Sequence, residues 1–339
     1  MNFKTINAWA AKEKGSSLTP FELPVPQLNP RDVLIEVKSC GICHSDLHLI
    51  DNDWYISKYP LVPGHEVVGR VVKTGSSSSR LKEGQWVGVG WQRSACGDCE
   101  LCLTGRDNMC SSKLASCVGH HGGYANLHIT DERYAFELPE AAQLSSFAPL
   151  LCGGITVFSP LAEFMKPKMG MNRVGVVGLG GLGHLAVKFS VALGYGVTVF
   201  SSSDSKASEA KAMGIERFVG SSTPEKIESV GRSLDLIIVT ANADLPWDSY
   251  IKTLKVDGTL CFVGIPPSPV SVNLIHMLDQ RRRITASPIG SRARIYEMIN
   301  FASRKNIQAD IETFKFADCN KALEKVRTNS VRYRAVLES

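Results

Sequence analysis

The 339-residue chain is 44% hydrophobic, 21% charged and 8% aromatic, enough apolar content for one large core or two of ordinary size, which argues against disorder. Lys and Arg number 38 against 33 Asp and Glu, and the resulting +5 is spread along the chain, which argues against a nucleic-acid footprint. No run approaches the ~18 to 20 apolar residues of a membrane span, and Met1 to Thr19 is charged where a signal peptide is apolar, so a cytoplasmic protein without a membrane partner is expected.

From about residue 20 to 150, short β-branched runs are cut by Gly and Pro. Val33 to Val37, Val67 to Val72 and Trp86 to Val89 predict strands of a β-rich domain, a compact barrel with long functional loops. After residue 152 the texture changes. Val174 to Val177, Val197 to Phe200, Leu236 to Val239 and Thr259 to Val263 predict buried strands, and Leu185 to Leu193 and Ala207 to Met213 predict helices between them. This alternation predicts a doubly wound parallel sheet. The last forty residues are amphipathic and then extended, ending in Tyr333 to Leu337, which can return to the first domain.

Ten cysteines need a chemical explanation, and in a long chain without a signal peptide metal ligation or redox chemistry precedes disulfides. Cys96, Cys99, Cys102 and Cys110 follow C-x2-C-x2-C-x7-C, whose short arms turn four thiolates toward one ion. A structural zinc ion needs nothing more, and an iron–sulfur cluster draws on the same ligand type. Cys117, Cys261 and Cys319 stand alone and read as small hydrophobes.

Gly178-Leu179-Gly180-Gly181-Leu182-Gly183 follows a strand and precedes a helix. In that position the glycines serve a tight turn, the approach of a pyrophosphate to the backbone, and close helix–strand packing. The next strand runs into Ser201-Ser202-Ser203-Asp204-Ser205-Lys206, with a serine at its tip where NAD-preferring folds carry Asp or Glu. Ser201, Ser202 and Lys206 therefore favour NADP(H), the lysine pairing with a 2′-phosphate. A plain turn with Asp204 as a helix cap is the alternative.

Cys40 to His48 packs thiols, imidazoles, a hydroxyl and a carboxylate into nine residues, and Gly64-His65-Glu66 follows. A protease helix would need a second His four residues on, where Gly69 stands. Cys40 and Cys43 form a C-x-x-C, for which thiol–disulfide exchange is the rival reading. Cys152 lies where the β-rich domain meets the nucleotide domain.

Together, Gly-Ile-Cys-His-Ser-Asp at 41 to 46, Gly-His-Glu at 64 to 66, the four clustered cysteines, Cys152 and the glycine loop resemble the zinc-dependent medium-chain alcohol dehydrogenases. The chain is most similar to their cinnamyl-alcohol-dehydrogenase-like branch, which includes bacterial NADPH-dependent aldehyde reductases. The resemblance implies an α/β architecture. A Rossmann NADP-binding domain over 154–290 is joined to a β-rich GroES-like catalytic domain over 1–153 and 291–339 that carries both zinc sites.

It further implies that Cys43, His65 and Cys152 hold a catalytic zinc with one position open, that Glu66 can approach the metal, and that Asp46 orients His65. Ser45 and His48 would form the proton path. His44 and Arg334 would meet the cofactor pyrophosphate and Thr156 the nicotinamide. Trp54 and Trp91 fall near positions lining the substrate channel, though ordinary burial accounts for either. His120, His121, His128, His184 and His276 read as histidines without a ligand role.

The function implied is hydride transfer from NADPH to an aromatic, cinnamyl-type or medium to long aliphatic aldehyde, giving a primary alcohol, with two Zn2+ per chain. A catalytically silent zinc and nucleotide-binding redox sensor is the alternative, disfavoured by the intact Cys43, His65, Cys152, Ser45 and His48 set. Edge-strand pairing between nucleotide domains would suit a homodimer.

Overall fold

The computed structural model describes residues 3–142, 145–164 and 172–339. The chain forms two compact units, Met1–Gly153 with Ser291–Ser339, and Gly154–Gly290.

The first unit is built on the long strand Asp32–Ile42, whose residues are buried along nearly its whole length. Burial on both faces, broken only at Glu36 and Lys38, marks a central strand. Its neighbours are Val67–Thr74, Leu127–Asp131 and the C-terminal strand Arg334–Glu338, all antiparallel to it. The ladder continues through Trp86–Val89 to Ala135–Glu137 on one side and through Arg334–Glu338 to Ile311–Lys315 on the other. The seven-stranded sheet is thus a path of six strands, with Leu127–Asp131 paired to the central strand off that path. Val33, Ile35, Val37, Val67, Val71, Val87, Val89, Ala335 and Leu337 supply much of its core. The return of the C-terminus is thus realised as strand pairing, with Ala335 opposite Ile42 and Leu337 opposite Cys40.

The second unit is a six-stranded parallel sheet. Its spatial order is Arg217–Gly220, Gly196–Ser201, Arg173–Val177, Leu234–Val239, Leu254–Phe262 and Arg283–Ala286. Numbered by sequence the order is 3-2-1-4-5-6, with the reversal of direction beside Arg173–Val177, the arrangement of a doubly wound dinucleotide fold. The predicted helices lie at Gly183–Ala192 and Ala207–Ala212, within two residues of the expected bounds. Among the described residues, no single helix is long and apolar enough to cross a membrane.

Candidate active site

The central strand ends at Ile42, and the helix His44–Ile50 begins two residues later with Cys43 as its N-cap. The turn is fixed by Asp46, whose Oδ2 accepts the Cys43 N–H at 2.9 Å while its own N–H reaches the Cys43 carbonyl at 3.0 Å. Asp46 is fully buried, and its other oxygen accepts the Gly64 N–H at 2.9 Å and faces His65 Nδ1 at 3.0 Å. One carboxylate therefore binds two separate stretches of chain and sets the imidazole between them. With Nδ1 held by Asp46, Nε2 lies 3.3 Å from Cys152 Sγ, on a residue delivered by the 3-10 turn Ser145–Leu151.

Cys43, His65, Glu66 and Cys152 bring one ligand atom each to within 4.8 Å of one another. The hydrogen bond from Cys152 holds the Cys43 thiol well below its ordinary pKa against the opposing effect of burial, and the same bond raises that of Cys152. Burial works against charge on His65, but Asp46 and Cys152 outweigh it and raise the imidazole well above its usual value. Burial also pushes Glu66 up to about 7 despite the neighbouring Arg334. Glu66 Oε1 is engaged by Arg334, and its Oε2 is buried without a partner. Gly41 makes room for this carboxylate, since a Cβ there would stand 1.9 Å from Oε2. Two thiols, an imidazole and an unsatisfied carboxylate oxygen in one buried cluster match the donor set of a borderline-soft divalent cation.

Beside the cluster, Trp91 meets the His65 ring edge-on at 5.0 Å, Trp54 meets Trp91 at 6.0 Å, and His48 meets Trp54 at 5.1 Å. Both tryptophans are half-buried and pack against the edge of the main core. Ser45 is half-buried, with its Oγ 3.7 Å from Cys43 Sγ. His48, one helical turn further on, is partly exposed and pairs with Asp53 at 2.7 Å. His44 is exposed at the start of the same helix.

The second thiol cluster also closes. Cys96 lies 3.8 Å from Cys102 and 3.5 Å from Cys110, and Cys99 lies 3.8 Å from Cys110. A tetrahedron with metal–sulfur bonds of about 2.3 Å has edges of about 3.8 Å, so the four sulfurs fit a single ion. None of the ten cysteines is in a disulfide.

In the second unit Gly178 has φ +91°, and a Cβ on Gly183 would come within 2.0 Å of the Gly178 carbonyl, while a Cβ on Gly180 would meet nothing within 4 Å. The turn, the close packing and the open space that the glycine motif predicts are all present. Lys206 Nζ reaches across to the Leu179 carbonyl at 2.8 Å. Ser202 is exposed beside the strand tip, and Thr156 is half-buried on the helix Gly153–Phe164.

Several placements differ from expectation. Arg334, expected at the cofactor pyrophosphate, is only 4% exposed and donates to Glu66 and to the Ile42 carbonyl at 3.0 Å. Ser201 is turned inward, its hydroxyl bonded within the turn to the Ser203 backbone. Cys117, read as a lone hydrophobe, lies with Asp46 and His65 in a second group of possible ligand atoms. No spacing signal connects it to them. His184, read as a histidine without a ligand role, is buried with Nδ1 3.1 Å from the Gly180 carbonyl in the glycine loop.

Residues 29–140 match the family model of the alcohol dehydrogenase GroES-like domain, and residues 181–304 that of the zinc-binding dehydrogenase. The chain is 43% identical to the aldehyde reductase AdhA of Synechocystis, over 98% of both chains. The chain belongs to the zinc-dependent medium-chain alcohol dehydrogenases. Within that family this dehydrogenase lies in the cinnamyl-alcohol-dehydrogenase-like branch. It is 40% identical to a cinnamyl alcohol dehydrogenase of Rauvolfia serpentina, over 97% of this chain and 94% of that one. A cinnamyl alcohol dehydrogenase from Sorghum bicolor superposes with a TM-score of 0.93 at 36% identity, covering 99% of this chain and 98% of the other. One from Helicobacter pylori, solved with NADP(H), gives 0.89 at 32% over the same shares. The dehydrogenase is thus an oxidoreductase of CH–OH groups, an alcohol dehydrogenase or aldehyde reductase of the zinc type.

Proposed function

We propose that this dehydrogenase reduces aldehydes to primary alcohols with NADPH, using two zinc ions per chain. The observation that carries the reading is the buried cluster of Cys43, His65 and Cys152, with His65 oriented by Asp46 and a bare Glu66 oxygen alongside. Cys43, His65 and Cys152 would hold the catalytic ion, with Glu66 available during ligand exchange, and Cys96, Cys99, Cys102 and Cys110 the structural one. Zinc bound there supplies a Lewis acid for the substrate oxygen.

The remaining work falls to side chains of the helix His44–Ile50. Ser45 Oγ gives its proton to the oxygen that gains charge during reduction, and His48, three residues on and therefore on the same helix face, restores it from solvent. Trp54 and Trp91 give the approach aromatic walls, which suit aromatic, cinnamyl-type or medium to long aliphatic aldehydes and disfavour charged ones.

For the cofactor, the open glycine loop admits a pyrophosphate that His44 also meets, Thr156 meets the nicotinamide, and Ser202 and Lys206 favour a 2′-phosphate at a strand tip that carries no carboxylate. Arg334 serves the cofactor only indirectly, through the helix start it braces at Ile42. The nucleotide unit also offers an edge strand, Arg283–Ala286, preceded by the exposed Ile265, Leu274, Ile275 and Leu278, which suits pairing of two copies into a homodimer.

The test is the loss of NADPH absorbance over a panel of aromatic and aliphatic aldehydes, before and after chelation. Turnover abolished by chelation, and much faster with NADPH than with NADH, is expected. No turnover by the zinc-loaded protein would leave the silent sensor as the better reading, and equal efficiency with both cofactors would remove the role of Ser202 and Lys206.

A further inference from the structure

Cys117 belongs to no motif, yet the fold carries it to the imidazole of His65. The strand Gln92–Ser94 pairs with Leu114–Ala115, so the chain returns past the tryptophan that touches His65. There Ser116 N–H donates to the Trp91 carbonyl at 2.8 Å and Ser116 Oγ to the Gly90 carbonyl at 2.6 Å. Residue 117 follows directly, completely buried, and its Sγ, a carboxylate oxygen of Asp46 and a ring nitrogen of His65 all lie within 4.8 Å of one another.

This trio is a poor metal site of its own. Asp46 Oδ1 already takes the Gly64 N–H and His65 Nδ1, and Oδ2 takes the Cys43 N–H with Tyr124 Oη at 3.5 Å. A carboxylate filled by backbone donors has no lone pair to spare for an ion. What remains for Cys117 is contact with the ring. Asp46 holds Nδ1, Cys152 lies at Nε2 and Trp91 meets the ring edge-on, and a buried sulfur beside the ring adds a further limit on its tilt.

We propose that Cys117 is a positioning residue whose sulfur braces the His65 ring by its bulk, keeping Nε2 directed at the thiols of Cys43 and Cys152. The inference rests on the reading of Cys43, His65 and Cys152 as zinc ligands. It adds a constraint of shape to the contacts that Asp46, Cys152 and Trp91 already make with the ring.

The test compares Cys117→Ala, which removes the bulk, with Cys117→Val, which restores it without sulfur. Zinc affinity of each holoprotein is measured by chelator competition, with the Cys96 to Cys110 ion as internal reference, and the cobalt-substituted proteins are compared by their visible ligand-field absorption. Expected are roughly tenfold weaker binding at the His65 site and shifted cobalt bands in Cys117→Ala, an unchanged reference ion, and return to within about twofold of the parent in Cys117→Val. Affinity and bands of Cys117→Ala equal to the parent's overturn the proposal, and so does an equal loss in both variants. A parent protein that binds metal only at the four-cysteine lobe fails the underlying zinc reading instead, an outcome distinct from both.

Discussion

The lobe at residues 96–110 and the cluster around His65 draw on the same thiol chemistry in opposite surroundings. The lobe takes all four sulfurs from one short stretch, carried on a four-residue helix, Glu100–Leu103, and a 3-10 turn, Asp107–Met109. Its private core is only Ala95, Cys102, Cys110 and Tyr134, with Cys99 at the margin. So small a core cannot hold a fold, and an ion joining the sulfurs would supply the missing free energy. The inner cluster draws on three distant segments and is held by buried carboxylates, backbone donors and the main sheet. There the protein itself shapes the site, and an ion held in it would be free for chemistry.

This contrast can be broken by substitution. Cys43→Ala is expected to lower aldehyde turnover by roughly a thousandfold or more, since several kcal/mol of charge stabilisation are lost. Elemental analysis should still find one zinc, and the thermal midpoint should barely move. Cys99→Ala should do the reverse. Loss of the lobe's ion should open residues 96–115 to limited proteolysis and cost about 3 kcal/mol, roughly 6 to 12 °C in midpoint, with the other ion retained. If the two variants proved alike in stability, the division into structural and chemical sites would be wrong.

A smaller effect is expected at Asp46. Asp46→Asn should weaken zinc at the inner site by roughly ten- to a hundredfold, read by chelator competition, while the lobe keeps its affinity. An effect of similar size, seen only as pH falls, lies outside both clusters. His128 is buried, and burial lowers its pKa to about 3. The folded protein keeps it neutral while the unfolded chain protonates near ~6.5, so its contribution is complete above that pH and is lost as pH falls toward 3. Between pH 8 and pH 5 the parent should lose about 2 kcal/mol more than His128→Phe, measured by denaturant unfolding at each pH.

Legibility in the sequence follows the same contrast. The lobe could be read from spacing alone, because consecutive turns place its ligands. The glycine loop was equally open, since Gly178 and Gly183 meet local demands of φ and space. The strand–helix alternation announced the parallel sheet, though not that Arg173–Val177 lies at the point of reversal. Cys43, His65 and Cys152 emerged through resemblance, for nothing in their separation predicts that they meet. The neighbours of Cys117 and the inward placements of Arg334 and Ser201 were not legible, for one physical reason. Their surroundings are set by irregular loops and strand ends, where contacts depend on how distant segments pack and leave no period behind. Arg334 in particular could not be tied to Glu66 without the pairing of Ala335 with Ile42.

That pairing also sets a clock. Glu66 and its counter-ion are separated by 268 residues, with the entire nucleotide unit encoded between them. At about 5 to 20 residues per second, Arg334 leaves the ribosome roughly 13 to 54 seconds after Glu66. The lobe's thiols emerge together and can capture an ion while the chain is still nascent. The inner cluster would gain the counter-ion of Glu66 only once Arg334 has followed it, 268 residues later.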